Sequence, residues 1–127
     1  INYKKSDFER EVKKLTNSKG VEVVFEHIGP DTWDKSIRSL SKRGRLVICG
    51  ATSGPKVEID LRYFFTRQLS IFGSYMGTKA ELIDLLKLFG EKKLKPVIDR
   101  KFPIKEAREA HQVMMDRKQF GKLVLNP

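Results

Sequence analysis

The run Gly44-Arg45-Leu46-Val47-Ile48-Cys49-Gly50-Ala51-Thr52-Ser53-Gly54 constrains the fold more than any other stretch of the chain. It reads as a short aliphatic strand that stops in a loop of small residues. A strand without polar alternation is one covered on both faces, as in a parallel sheet flanked by helices. A second unit of the same kind lies upstream, Val21-Glu22-Val23-Val24-Phe25-Glu26-His27-Ile28-Gly29. A helical segment, Thr32-Trp33-Asp34-Lys35-Ser36-Ile37-Arg38-Ser39-Leu40, joins the two. Strand, helix and strand within about 30 residues make a βαβ crossover. Ligands of open α/β sheets sit outside the carboxyl ends of the strands. The small residues that close each strand are therefore the first place to look for a site.

The rest of the chain continues the alternation. Ser6-Asp7-Phe8-Glu9 predicts a capping box with Ser6 as N-cap, opening a helix with Phe8, Val12 and Leu15 on its inner face. Trp33, Ile37 and Leu40 line the next helix, and Gly44 is placed as its left-handed terminator. Asp60 is expected to cap a brief helix over 61–67, followed by a strand over 69–73. Thr78-Lys79-Ala80-Glu81 predicts a second capping box, with Leu82, Leu85, Leu86 and Phe89 inward and a stop near Gly90. A linker over 92–95 and an extended segment over 96–103 follow. The chain closes with a helix over 104–118, carrying Ala107, His111 and Met114 on one face, and a strand over 122–125. Gly73-Ser74-Tyr75-Met76-Gly77 is spaced by glycines but does not make the phosphate-binding GxGxxG pattern.

Charge and cysteine content narrow the function. The net charge is +10 and the isoelectric point about 9.8, which invites a nucleic-acid reading. The excess, however, divides evenly between residues 1–78 and 79–127, with Lys and Glu interleaved along the helices. That pattern describes solvated faces, and no nucleic-acid partner is expected. The single cysteine, Cys49, excludes an intrachain disulfide, and its place in the strand predicts a small buried apolar residue. No CxxC spacing suggests a metal. No apolar run is long enough to span a bilayer, so no membrane partner and a cytoplasmic location are expected.

These units, in this order, resemble the medium-chain dehydrogenase/reductase family, and within it the zinc-type alcohol dehydrogenases and quinone oxidoreductases. The resemblance is carried by Ile1-Asn2-Tyr3, by Val23 to Gly29, and by Thr32-Trp33 with Ser36 and Leu40. It continues through Gly44 to Gly54, Arg67 to Ser74 and Lys93-Leu94-Lys95-Pro96, and ends on Phe120 to Leu125. It implies an α/β fold: an incomplete Rossmann-like, doubly wound parallel sheet over residues 1–91, then a segment over 92–127 that returns to the catalytic domain. It further implies that the first strand, the phosphate turn, the ribose-reading residue and any zinc ligands precede Ile1. These 127 residues alone would then be inactive.

The resemblance also implies the chemistry, a hydride transfer between NAD or NADP and an alcohol, carbonyl or quinone. Ile28 and Gly29 would pass the cofactor ribose. Cys49, Gly50 and Ala51 would present backbone groups to the nicotinamide carboxamide. Ile71, Phe72, Gly73 and Ser74 would contact the same ring. No residue of this stretch is expected to be catalytic or to bind metal; zinc would belong to the longer chain. His27 reads as a hydrogen-bonded structural residue or a ribose neighbour rather than an acid or base, His111 as a core histidine rather than a ligand, and Lys122 stands where some members of the family contact the cofactor but is not taken as a site residue. Thr52-Ser53-Gly54 reads as a plain turn rather than an anion nest. The strand over 69–73 is expected to be an edge that pairs with its copy in a homodimer. A different class remains open, a standalone, non-catalytic dimerisation module derived from the same fold.

Overall fold

The computed structural model describes residues Ile1–Pro127. The chain forms two compact units, Ile1–Met76 and Gly77–Pro127. The boundary expected after residue 91 falls inside the second unit.

In the first unit, α1 (Phe8–Leu15), β1 (Val21–Glu26), α2 (Trp33–Arg38), β2 (Leu40–Ile48), α3 (Leu61–Arg67) and β3 (Ser70–Gly73) follow in order. The three strands make one sheet in the order β1-β2-β3, with both pairs parallel. Its core is Trp33, Ile37, Leu40 and Leu46, with Val24, Ile48, Tyr63, Phe64 and Leu69 packed against them. Trp33 and Ile37 thus face the sheet as their four-residue spacing predicts. The Trp33 indole N–H donates to the Glu58 carbonyl at 3.2 Å, which ties the segment before α3 to α2. Asp60 caps α3 by accepting from the Arg62 N–H at 3.0 Å.

Several local expectations need correction. Asp7, not Ser6, caps α1, because its carboxylate accepts from the N–H groups of Glu9 and Arg10. The Ser6 hydroxyl instead donates to the Asn2 carbonyl. Leu15 is exposed, whereas Phe8 and Val12 are half-buried. Gly44 does not terminate a helix. The left-handed residue is Arg43 (φ 62°), in an irregular stretch of β2 where the pairing passes from Val21↔Leu40 to Val23↔Arg45. Glycine at 44 answers a need for space, since a Cβ there would lie 2.9 Å from both Leu40 Cδ2 and the Ser41 carbonyl oxygen.

The second unit contains α4 (Lys79–Gly90), β4 (Ile98–Pro103), a 3-10 turn over Ile104–Glu106, α5 (Ala107–Met115) and β5 (Lys122–Asn126). The capping box opens α4 as expected, with the Thr78 hydroxyl accepting from the Glu81 N–H and the Glu81 carboxylate from the Thr78 N–H. The inward face expected of α4 is not buried; Leu82, Leu85 and Leu86 are exposed and only Phe89 is half-buried. β4 and β5 pair in parallel, and their core is Phe102, Ala110 and Val113 with Leu123 against it. His111 is therefore a surface residue rather than a core histidine. Ala110 and Val113, three apart on α5, are the residues that pack with Phe102 and Leu123 of the strands. No helix is long and apolar enough to cross a membrane.

Candidate functional site

The carboxyl ends of β1, β2 and β3 lie side by side, because a parallel sheet in register brings all three chains out at one edge. Glu26 pairs with Ile48, and Ile48 with Gly73. Backbone hydrogen bonds continue the alignment beyond the strands. The Cys49 N–H donates to the Glu26 carbonyl at 3.0 Å, and the Ser74 N–H to the Ile48 carbonyl at 2.8 Å. Ile28, Gly29, Cys49, Gly50, Ala51, Gly73 and Ser74 are thus brought to one edge of the sheet, with Ile71 and Phe72 in β3 leading up to it. Phe72 is half exposed.

Cys49 differs from expectation. It lies one residue past the end of β2 and is exposed, so it is not a buried core thiol. The strand stops at Ile48 because the chain there turns across the β1 end, where Thr52 and Ser53 make their bonds. The Thr52 N–H and hydroxyl both donate to the His27 carbonyl, at 3.3 and 3.0 Å. The Ser53 N–H and hydroxyl donate to the Ile28 carbonyl, at 2.7 and 2.8 Å. Both hydroxyls are spent on carbonyls, so this loop is a clasp between strand ends, as its reading as a turn rather than an anion nest implies. His27 is exposed beside it. Lys122 opens β5 in the second unit and is exposed.

The glycines differ in what they leave open. Gly29 has φ +100°, and a Cβ there would meet the Gly54 carbonyl oxygen at 2.9 Å. Gly50 would place a Cβ 3.1 Å from the His27 carbonyl oxygen, and a Cβ on Gly73 would meet nothing within 4 Å. The N–H groups of Gly50 and Ala51 are not among the bonds that fasten the three ends. The Gly50 and Ala51 N–H groups are therefore left as backbone donors at the β2 end. An apolar groove of about 330 Å³ runs beside β1, lined by Phe8, Val12, Val24, Phe25, Ile28 and their neighbours. A larger cleft, about 440 Å³, lies among Ile37, Ile59, Tyr63 and Arg67, where charges of both signs face one another.

One residue of the site escaped sequence reasoning. Glu26, 3% exposed, closes β1 with its carboxylate turned back under the β1–α2 turn. Oε1 accepts from the N–H groups of Ile28 and Gly29 at 2.8 and 3.1 Å. The Thr32 hydroxyl lies 3.0 and 3.1 Å from the two oxygens, and the Ser36 hydroxyl donates to Oε2. Burial pushes the carboxyl pKa up, but the Ser36 hydroxyl, the two N–H groups and the Thr32 hydroxyl together hold it below the usual carboxylate range. The signal was available: an acid ends an apolar strand, and two hydroxyls four residues apart open the helix that follows.

No three His, Cys, Asp or Glu side chains converge to hold a metal ion. The residues present do not fit a zinc site, and no role of this chain is assigned to one.

A parallel sheet with βαβ connections, and glycines at or just past the strand ends along one edge, is the architecture of the C-terminal, NAD(P)-binding Rossmann-like domain of alcohol dehydrogenases. The chain belongs to the zinc-binding dehydrogenase family, whose family model matches residues 1–125. Among curated relatives, Quinone oxidoreductase 1 of Escherichia coli is 30% identical over the whole of this chain and 42% of its own length. The 2-haloacrylate reductase of a Burkholderia species is 36% identical, over all of this chain and 41% of its own length. Among solved structures, an NAD-dependent alcohol dehydrogenase superposes with a TM-score of 0.87 at 38% identity, over all of this chain and 37% of its own. The chain thus spans about two-fifths of the length of the relatives it matches.

Proposed function

We infer that this chain is the cofactor-binding part of an NAD(P)-dependent oxidoreductase of the alcohol dehydrogenase or quinone oxidoreductase type, acting in the cytoplasm on a small alcohol, carbonyl or quinone. The observation that carries the reading is the shared edge of β1, β2 and β3, with open space where a side chain on Gly73 would stand and the Gly50 and Ala51 N–H groups outside the clasp. When bound, the nicotinamide supplies hydride transfer, and the protein supplies position and surroundings. Gly50 and Ala51, beside exposed Cys49, offer donors to a carboxamide. Ile71, Phe72, Gly73 and Ser74 form the neighbouring wall, and Ile28 and Gly29 give a close-packed surface for a ribose. Binding of NADH and NADPH to the intact protein, followed by fluorescence, tests this. Oxidation of the bound reduced cofactor by a simple benzoquinone or a short aldehyde extends it to reaction class. Failure to bind either nucleotide at millimolar concentration refutes the reading.

A separate observation supports a homodimer. β3 is an outer strand of its sheet, and every residue of it is exposed. No proline or lysine interrupts it, and such an edge recruits another strand. Pairing with its own copy across a two-fold axis would be isologous. Sedimentation of the intact protein as a monomer at high micromolar concentration would exclude this pairing. The same strand would serve a non-catalytic dimerisation module, and absence of nucleotide binding in a dimeric protein would favour that class.

A further inference from the structure

We propose that Glu26 is a positioning residue for the cofactor: its buried carboxylate holds the N–H groups of Ile28 and Gly29 inward and so keeps the β1–α2 turn as a preformed, hydrogen-bond-silent wall of the nucleotide crevice. The proposal rests on the cofactor reading above and adds a residue and a physical role to it.

The hydrogen bonds of the turn close on themselves. The Ile28 and Gly29 N–H groups go to Glu26 Oε1. The His27 carbonyl takes Thr52 and the Ile28 carbonyl takes Ser53, each through N–H and hydroxyl. The Gly29 carbonyl accepts from the N–H groups of Thr32 and Trp33, both at 3.0 Å. No backbone donor or acceptor of Ile28 or Gly29 is left for a ligand. What the turn offers a nucleotide is shape, and that shape depends on Gly29 staying at φ +100° against Gly54. Hydrogen bonding to a ligand then falls to the β2 and β3 ends.

All of the carboxylate's partners are neutral donors, and no cation pairs with it. A buried charge is tolerated there because hydrogen bonds replace its hydration. Without the carboxylate, the N–H groups of half-buried Ile28 and buried Gly29 would lose their acceptor. Such groups are costly unless they turn outward to find another. Turning outward moves Gly29, and with it the wall. The geometry also separates position from charge. Both N–H groups bond to the same oxygen, Oε1, so a glutamine oxygen can replace it while the glutamine amide faces the Ser36 and Thr32 hydroxyls, which can accept.

The test uses the intact protein, with NADH or NADPH, whichever binds more tightly, as the probe, well below the melting temperature of each variant. Glu26→Met keeps the length of the side chain and removes both acceptors; it is expected to weaken nucleotide binding about tenfold or more, the scale of one or two lost buried acceptors. Glu26→Gln is expected to stay within about threefold of wild type, because the N–H acceptor is restored. A purely structural role would lower the melting temperature of Glu26→Met and leave its affinity at the assay temperature unchanged; that result overturns the proposal. If Glu26→Met does not fold, Glu26→Asp takes its place: it keeps the charge but shortens the reach, and should weaken binding about fivefold. Unchanged affinity in Glu26→Asp also overturns the proposal. If wild type binds neither nucleotide, both this proposal and the cofactor reading fall; if wild type binds and the variants match it, only this proposal falls.

Discussion

Replacing the glycines at the three strand ends one at a time by alanine should give three different costs, because each glycine is there for a different reason. Gly29→Ala is the severe case. It places a side chain at φ +100° and sets a methyl group 2.9 Å from the Gly54 carbonyl oxygen. Neither side can yield cheaply. The opposing atom is backbone, and the loop that carries it is pinned by the Ser53 N–H to the Ile28 carbonyl at 2.7 Å and the Gly54 N–H to the Ala51 carbonyl at 3.2 Å. Strain of the dihedral costs about 1–3 kcal/mol. With the contact added, the expected loss of stability is about 2–4 kcal/mol, at the upper end for single substitutions. Gly50→Ala meets the His27 carbonyl oxygen at 3.1 Å with no unusual φ, and a loss of about 1 kcal/mol is expected. Gly73→Ala meets nothing within 4 Å and should stay within about 0.5 kcal/mol of wild type. Denaturant unfolding, followed by the fluorescence of Trp33, the one tryptophan of the chain, measures all three. If Gly29→Ala is as stable as wild type, or Gly73→Ala as damaging as Gly29→Ala, the packing argument at the strand ends is wrong. Gly73→Ala carries a second reading. If its stability is intact but nucleotide binding falls, the methyl group occupies space that the cofactor uses.

Three more outcomes follow from the same geometry. Leu46, fully buried against Trp33, Ile37 and Leu40, should cost about 2–5 kcal/mol when cut to alanine, read as a drop in the denaturant midpoint at unchanged slope. Glu26 has its pKa lowered by folding, so its contribution to stability is fully present above its ordinary value of about 4.3 and is lost as pH falls through the lower folded value; Glu26→Gln should lose that part of the acid dependence, and an identical acid slope in the two proteins would contradict it. These 127 residues contain no GxGxxG turn, so on their own they should bind NADH and NADPH more weakly than about 10 μM, measured by fluorescence titration; tighter binding would show that the pyrophosphate contacts are not needed.

The parallel βαβ core was legible because it depends on patterns that burial enforces. Val24 in β1, Leu46 and Ile48 in β2 and the Trp33/Ile37 spacing between them leave few other ways to bury their surface, although Val23 and Phe25 stay exposed. The cap at Thr78 was legible because both partners are local. What was missed depends on how one segment folds over the next rather than on a segment's own pattern. Glu26 reads as a polar interruption until Thr32 and Ser36 fold over it. Cys49 reads as part of an apolar strand until the clasp from Thr52 and Ser53 ends β2 one residue earlier. His111 is exposed while Ala110 is buried because α5 sets Ala110 and Val113 against Phe102 and Leu123, and helical spacing alone does not reveal which face is covered. The exposed leucines of α4 show that an apolar face in sequence states what a helix can bury, not what covers it.

The central claim, that the ends of β2 and β3 receive the nicotinamide half of a cofactor, is tested most directly by amide chemical shifts of the isotopically labelled intact protein on adding NADH or NADPH. The largest changes are expected on Gly50, Ala51, Gly73 and Ser74. The Ile28 and Gly29 amides, held by Glu26, should shift less, and Gly20, which precedes β1 at the opposite end of the strand, should not move. Saturable binding whose shifts leave Gly50, Ala51, Gly73 and Ser74 unmoved would contradict it.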